Sequence, residues 1–194
     1  MIYVVIAVGI VILFWFISTY NFFVSSKARI KASVQEIGNQ LKRQFDLIPN
    51  LEESTKSYLI HEKGIYEALT DARKAVSSAV KSQDTQKMAD AGSKFSQLLP
   101  QIQVVVESNQ ELKASEVIGK LMDELRDTSD KVMYARRIVI DLTADFNVKR
   151  VQVPTSLVAG IFKFGELPGL ITPEKGEHLE VTGKETQTPK VDLG

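Results

Sequence analysis

The sequence predicts an all-α protein: an N-terminal transmembrane helix that continues into a long antiparallel helical bundle of about four helices. Two observations carry that prediction. Residues 1–24, MIYVVIAVGIVILFWFISTYNFFV, contain no charged side chain. Beyond them, apolar residues recur at steps of three and four with polar residues between, the period of helices that bury one face.

The first element is an anchor. A hydrocarbon core of about 30 Å needs about 20 apolar helical residues. Twelve residues between Ile2 and Ile17 are Ile, Val, Leu or Phe, and at about −0.3 to −0.6 kcal/mol each they favour insertion by about −4 to −7 kcal/mol. Trp15, Tyr20 and Phe22 lie near the far end, as in an aromatic belt. A cleaved signal peptide fits less well: the basic n-region is missing, the apolar run is too long, and no Ala-x-Ala site follows. A buried core helix would show one polar face. Lys27, Arg29 and Lys31 follow the span, so the positive-inside rule places the N-terminus outside and the bundle in the cytoplasm. The expected location is the cell (inner) membrane, crossed once.

The bundle occupies residues 25–152. Its first helix, 25–48, carries Ile30, Val34, Ile37, Leu41, Phe45 and Ile48 on one stripe. At DLIPN, Pro49 lacks an amide donor and disfavours the α conformation at Ile48. Asn50 and Glu53 have capping-pair spacing. The stretch reads as a tight reversal, with Asp46 as cap and Pro49 in the first turn as the alternative. The second helix, 50–82, carries Leu51, Tyr58, Ile65, Leu69, Ala72, Val76 and Val80. KSQDTQK at 81–87 suits a turn. The third, 85–107, carries Met88, Ala91, Phe95, Leu98, Leu99, Ile102 and Val105, with Pro100 expected to kink or divide it. ESNQELKAS at 107–115 is the next break, with Ser115 a plausible N-cap. The fourth, 115–152, steps strictly through Ile118, Leu121, Leu125, Thr128, Val132, Ala135, Val139, Leu142 and Phe146, as in coiled-coil-like packing.

If these helices alternate in direction, Lys149 returns to the bilayer and DLIPN lies at the far tip. The lengths conflict, however. A helix from about Asn50 to Ser82 spans about 50 Å, whereas Tyr20 to Ile48 gives about 42 Å. The second helix has to end early, bend, or lie beside the membrane surface.

Residues 153–170 are apolar and contain Gly and Pro. Leu157, Val158, Ile161, Phe162 and Phe164 cluster there, flanked by Lys149, Arg150 and Lys163. Two readings stand: a cap over the open end of the bundle, or a membrane-interface segment with basic residues toward anionic headgroups. Residues 171–194 are poor in apolar side chains and read as a flexible tail.

Composition excludes several chemistries. Lys plus Arg equals Asp plus Glu at 24 each, so no basic field attracts nucleic acid. Cysteine is absent, and only His61 and His178 occur; this removes thiolate and multi-histidine metal sites. His61-Glu62 starts like His-Glu-x-x-His, but Ile65 stands where the second histidine belongs. Ser78 and Lys81 fit Ser-x-x-Lys without a companion motif. Gly160 and Gly165 form no phosphate loop. No catalytic, cofactor-binding or metal residue is assigned, and the chain is read as non-enzymatic. Lys42, Arg43, Asp46, Pro49 and Asn50 are candidate docking residues at the tip, with Arg73, Arg136 and Arg137 on other helices. The expected partners are the lipid bilayer and either further copies of the chain or membrane and cytosolic proteins.

The segments, in their order, resemble the LemA family of single-pass bacterial membrane proteins. The resemblance rests on TYNFFV (19–24), QLKRQFDLIPNL (40–51), HEKGIYEALTDAR (61–73), LKASEVIGKLMDEL (112–125), ARRIVIDLTADFN (135–147), PTSLVAGIFKF (154–164) and the terminal PKVDL. Two departures occur late. Val153, Pro154, Thr155 and Ser156 stand where the family has an aromatic residue followed by Pro-Ser-Asn, and Val-Lys-Arg-Val follows Phe146-Asn147. The resemblance implies a membrane helix and a long bundle, and it implies no reaction. Some family members are associated with internal membranes in magnetotactic bacteria, which points to a membrane-organising role.

Overall fold

The computed structural model describes residues 1–59 and 63–171. Six helices follow in order among them: α1 (Ile2–Leu59), α2 (Lys63–Ser82), α3 (Thr85–Ser108), α4 (Gln110–Ala114), α5 (Glu116–Val151) and α6 (Thr155–Ile161). The chain is all-α, with one long apolar N-terminal helix leading into the bundle.

The largest departure from expectation is at DLIPN. No reversal occurs there. α1 runs unbroken for 58 residues with Pro49 inside it, a length of about 87 Å. Neither Asp46 nor Asn50 caps a helix, because none begins there. Proline inside a helix costs about 3 kcal/mol, so something has to offset it. Leu41, Gln44, Ile48, Leu51 and Thr55 are each 0% exposed, and they stand three and four residues apart. One buried stripe therefore crosses the proline without a change of phase. Keeping Ile48 and Leu51 both in that stripe is worth about 3–6 kcal/mol, enough to cover the lost backbone bond.

The longer α1 removes the length conflict. α2 has only 20 residues, about 30 Å. It pairs with α3 along the distal and middle parts of the bundle and does not reach the basal cluster. The turn between them contains Gln83 at φ 52°. Asp84 caps α3 by accepting from Lys87 N at 3.0 Å. Pro100 neither divides α3 nor ends it. α3 packs closely on α5 at Gly92, where a Cβ would lie 2.5 Å from Val132 Cγ1.

The break after α3 is a short helix. Asn109 accepts from Glu111 N at 3.0 Å and Leu112 N at 3.3 Å, and Leu112 inserts into the core. Ser115 caps α5, as expected, through Ile118 N at 3.4 Å. α5 has 36 residues, about 54 Å, and makes the whole return by itself. Its buried face takes Met122 and Thr143 where Leu121 and Leu142 were expected. A 3.6-residue helix drifts from a strict heptad in this way, and α5 faces both α1 and α3.

The core forms three clusters stacked along the bundle. The distal cluster is built on Ile48, Leu51, Phe95 and Leu125. The middle one is built on Ile37, Leu41, Val76 and Val132. The basal one holds Phe23, Phe146 and Ala159. α2 and α3 contribute nothing to the basal cluster, so there α1 and α5 need a third piece.

Candidate functional site: the base of the bundle

That third piece is α6 and the extended segment after it. α5 ends where the Thr155 hydroxyl donates to the carbonyls of Lys149 at 2.6 Å and Gln152 at 2.9 Å, which satisfies groups a helix end leaves open. α6 follows the cis Val153–Pro154 bond. Lys163, at φ 54°, then turns the chain back, with Phe164 N donating to Ala159 O at 2.9 Å.

Four phenylalanines build the joint between the uncharged start of α1 and the bundle. Phe23 and Phe146, both 0% exposed, meet edge to face at 5.2 Å between centroids. Phe164 stacks on Phe23 at 4.9 Å. Phe162 packs on Tyr20 at 4.5 Å and on Phe16 at 5.8 Å, inside the uncharged first 24 residues. Two lysines sit over the rings: Lys27 Nζ lies 5.3 Å from the Phe164 centroid and Lys149 Nζ 3.8 Å from that of Phe22. These are cation–π distances.

The segment faces two ways. Val158, Ala159, Phe164 and Leu167 turn inward onto the bundle end. Leu157 and Ile161 are 64% and 65% exposed, and Phe162 is 44% exposed. Lys149 and Lys163 are also exposed, whereas Arg150 is half-buried and pairs with Glu166 at 3.1 Å. Exposed aliphatic side chains beside the end of the uncharged stretch of α1, ringed by basic residues, make a surface able to meet apolar chains and phosphates together.

Past Phe164 the chain climbs the bundle as a strap held by two side-chain amides. Asn147 accepts from Leu167 N at 3.0 Å and donates to Leu167 O at 2.9 Å. Gln86 does the same for Ile171, at 2.8 and 3.1 Å. Each amide mimics a neighbouring strand, so the strap is gripped by its backbone. The only sequence signal for this was an Asn inside an otherwise well-formed helix.

The tip candidates do not lie at the tip. Lys42, Arg43, Asp46, Pro49 and Asn50 sit on the wall of α1, short of its end at Leu59. Arg43 Nε donates to Glu124 of α5 at 2.9 Å. Nor do the other arginines gather: Arg73 pairs with Glu52 at 3.0 Å and covers the Phe45 ring, Arg136 donates to the Ser93 hydroxyl, and Arg137 lies 3.8 Å from Asp141. The actual tip joins the end of α1 to α4 through Tyr58, whose hydroxyl donates to Glu111. That hydrogen bond, with burial and the carboxylate charge adding to it, raises the Tyr58 pKa above its usual 10.0.

His61 and Glu62, and the tail 172–194, lie outside the described residues. Ser78 and Lys81 line a shallow groove with Phe45 and Arg73. Among the described residues no group of three or more His, Asp or Glu side chains is placed to hold a metal ion.

Comparison with curated proteins finds no match. The sequence pattern of the LemA family matches residues 33–192, which takes in most of the bundle together with the basal segment and the strap. The chain therefore belongs to the LemA family.

Proposed function

We propose that this protein is a non-enzymatic scaffold anchored in the bacterial inner membrane, with its bundle in the cytoplasm. The observation that supports this reading is the unbroken α1. One helix leads from the uncharged anchor to the far end of the bundle. With about 30 Å in the bilayer, the remaining ~57 Å is a stiff post. Its exposed wall, including Lys42 and Asn50, is a surface for other copies or for membrane and cytosolic proteins. Lys27, Arg29 and Lys31 set the orientation by the positive-inside rule.

A second reading is favoured by the base. The outward Leu157, Ile161 and Phe162, with Lys149 and Lys163, seat the bundle on lipid and make it responsive to the membrane surface. Leu157 and Ile161, about two-thirds exposed, each gain about 1–2 kcal/mol on leaving water and Phe162 less, a contact that the anchor alone does not supply.

One experiment tests both. A benzophenone amino acid is placed at Asn50 or at Leu157 in the full chain, irradiated in native membranes, and the adducts identified by mass. Protein adducts are expected from Asn50 and lipid adducts from Leu157. Absence of protein adducts at Asn50 removes the scaffold reading. Absence of lipid adducts at Leu157 removes the lipid seat.

A further inference from the structure

Two breaks of different kinds meet at one level of the bundle. The first is in the core. On α1 the last buried residue of the middle cluster is Leu41 and the first of the distal cluster is Ile48. Between them lies Gln44, 0% exposed, with neither its amide nitrogen nor its oxygen hydrogen-bonded among the described residues. On α5 the distal cluster reaches Leu125 and the middle one resumes at Val132. Thr128 and Ser129 are buried between them, and the Ser129 hydroxyl also has no partner among the described residues. On both helices, then, the layer between the two apolar clusters is polar.

The second break is in the backbone. Pro49 in α1 and Pro100 in α3 leave the Phe45 and Ser96 carbonyls without their helical donors. A Cβ on Gly92 would meet both Val132 and Leu41, the latter at 3.6 Å, so residues 41, 92 and 132 share a level. α1 and α3 run outward from that level, and α5 runs back toward it. Phe45 and Ser96 stand four residues outward, Gln44 three, and Thr128 and Ser129 four and three residues before Val132. At 1.5 Å per residue all five lie about 4.5–6 Å beyond the shared level, within a single helical turn. The polar layer and the two interrupted ladders therefore coincide.

A seam of this kind couples its two sides weakly. A buried amide without a partner costs free energy that an apolar side chain of the same shape would not. Each proline also removes one of the backbone bonds that would cross the seam. α2 and α5 contain no proline, so they tether the two sides. Those sides are held unequally. The base side has the basal rings and a strap gripped by Asn147 and Gln86. The head side is closed at its tip by the short α4 and by the exposed hydrogen bond from Tyr58 to Glu111.

We propose that the head of the bundle, built on the distal cluster, is a separately opening unit, and that its seam with the base is the layer of Gln44, Thr128 and Ser129. The head opens while the base stays packed. Opening bares Leu98, Ile102 and Leu125, which the closed bundle buries, and so presents an apolar surface at the end remote from α6. This inference concerns the fold and rests on neither reading of function.

Native-state hydrogen exchange of the full chain in lipid nanodiscs, read by mass on peptides of α3 and α5, tests it. Amides at 120–125 should exchange about tenfold faster than those at 132–141. The step should fall at 126–131, and α3 amides at 101–106 should follow the faster group. Val139→Ala, in the middle cluster, should speed exchange at 132–141 about fivefold and leave 120–125 unchanged, because the head opens without breaking that cluster. Gln44→Leu should slow exchange at 120–125 about tenfold, by replacing an unpaired amide with an apolar side chain. One common rate along α5, a slower head, or a step placed elsewhere overturns the proposal. So does equal acceleration of both segments by Val139→Ala, the behaviour of a single cooperative unit. A folded Gln44→Leu with no slowing at 120–125 overturns it as well; if that variant does not fold, the response to Val139→Ala decides.

Discussion

Replacing Pro49 by alanine should stabilise the folded protein by about 2 kcal/mol. Inside a helix, proline is about 3 kcal/mol less favourable than alanine, because the Phe45 carbonyl loses its donor and the ring presses on the preceding turn. Part of that gain is offset, since proline also restricts the unfolded chain by about 0.4–1 kcal/mol. Pro49 is half-buried and its neighbours Ile48 and Leu51 keep their places in the buried stripe, so alanine costs little packing. Denaturant midpoints of the full chain and Pro49→Ala in the same detergent measure the difference. If Pro49 made a turn between two helices, alanine would give no gain or a loss.

Phe146→Ala should have the largest destabilising effect at the base, about 3–5 kcal/mol. The ring is fully buried, meets Phe23 at 5.2 Å and Phe164 at 6.2 Å, and lies 5.8 Å below the Lys27 ammonium. Among the described residues only α1, α5, α6 and the strap contribute to the core at this level, so the cavity has few neighbours able to collapse into it. The loss should appear first as release of the strap, read as faster proteolysis within residues 162–171, and then as a lower denaturant midpoint. Phe146→Leu, which refills most of the volume, should recover much of both. Proteolysis and stability unchanged in Phe146→Ala would mean that the basal cluster does not hold the bundle to the anchor.

The long uncharged start of α1, the turn between α2 and α3, the Ser115 cap and most of the α5 stripe were legible because each rests on local chemistry: hydropathy, a polar stretch, a side-chain cap, a repeated step. Pro49 misleads for the same reason. Local rules count the missing amide, but not the burial of Ile48 and Leu51 that a neighbouring helix provides. The stripe from Leu41 to Thr55 could have shown the continuity, had Gln44 and Thr55 been counted with the apolar residues. Both are polar, so an apolar pattern skips them. The docking residues at Lys42 to Asn50 fell away from the tip with the misplaced reversal. Residues 153–170 gave two readings because their apolar residues divide between faces: Val158 and Phe164 turn inward, Leu157 and Ile161 outward. The amide grips of Asn147 and Gln86 depend on the strap's path across 20 and 85 residues of sequence, which no local pattern encodes.

The continuity of α1 through Pro49 is the claim on which the post, the placement of the wall and the direction of the strap depend. It is tested most directly by a distance between spin labels at Arg29→Cys and Lys56→Cys, both exposed on α1, in the full chain in nanodiscs. An unbroken helix puts these positions about 41 Å apart. A reversal at Pro49 folds Lys56 back beside the middle of the first helix and shortens the separation to about 20 Å. A single population near the longer distance is the predicted result, and one near the shorter would contradict the account.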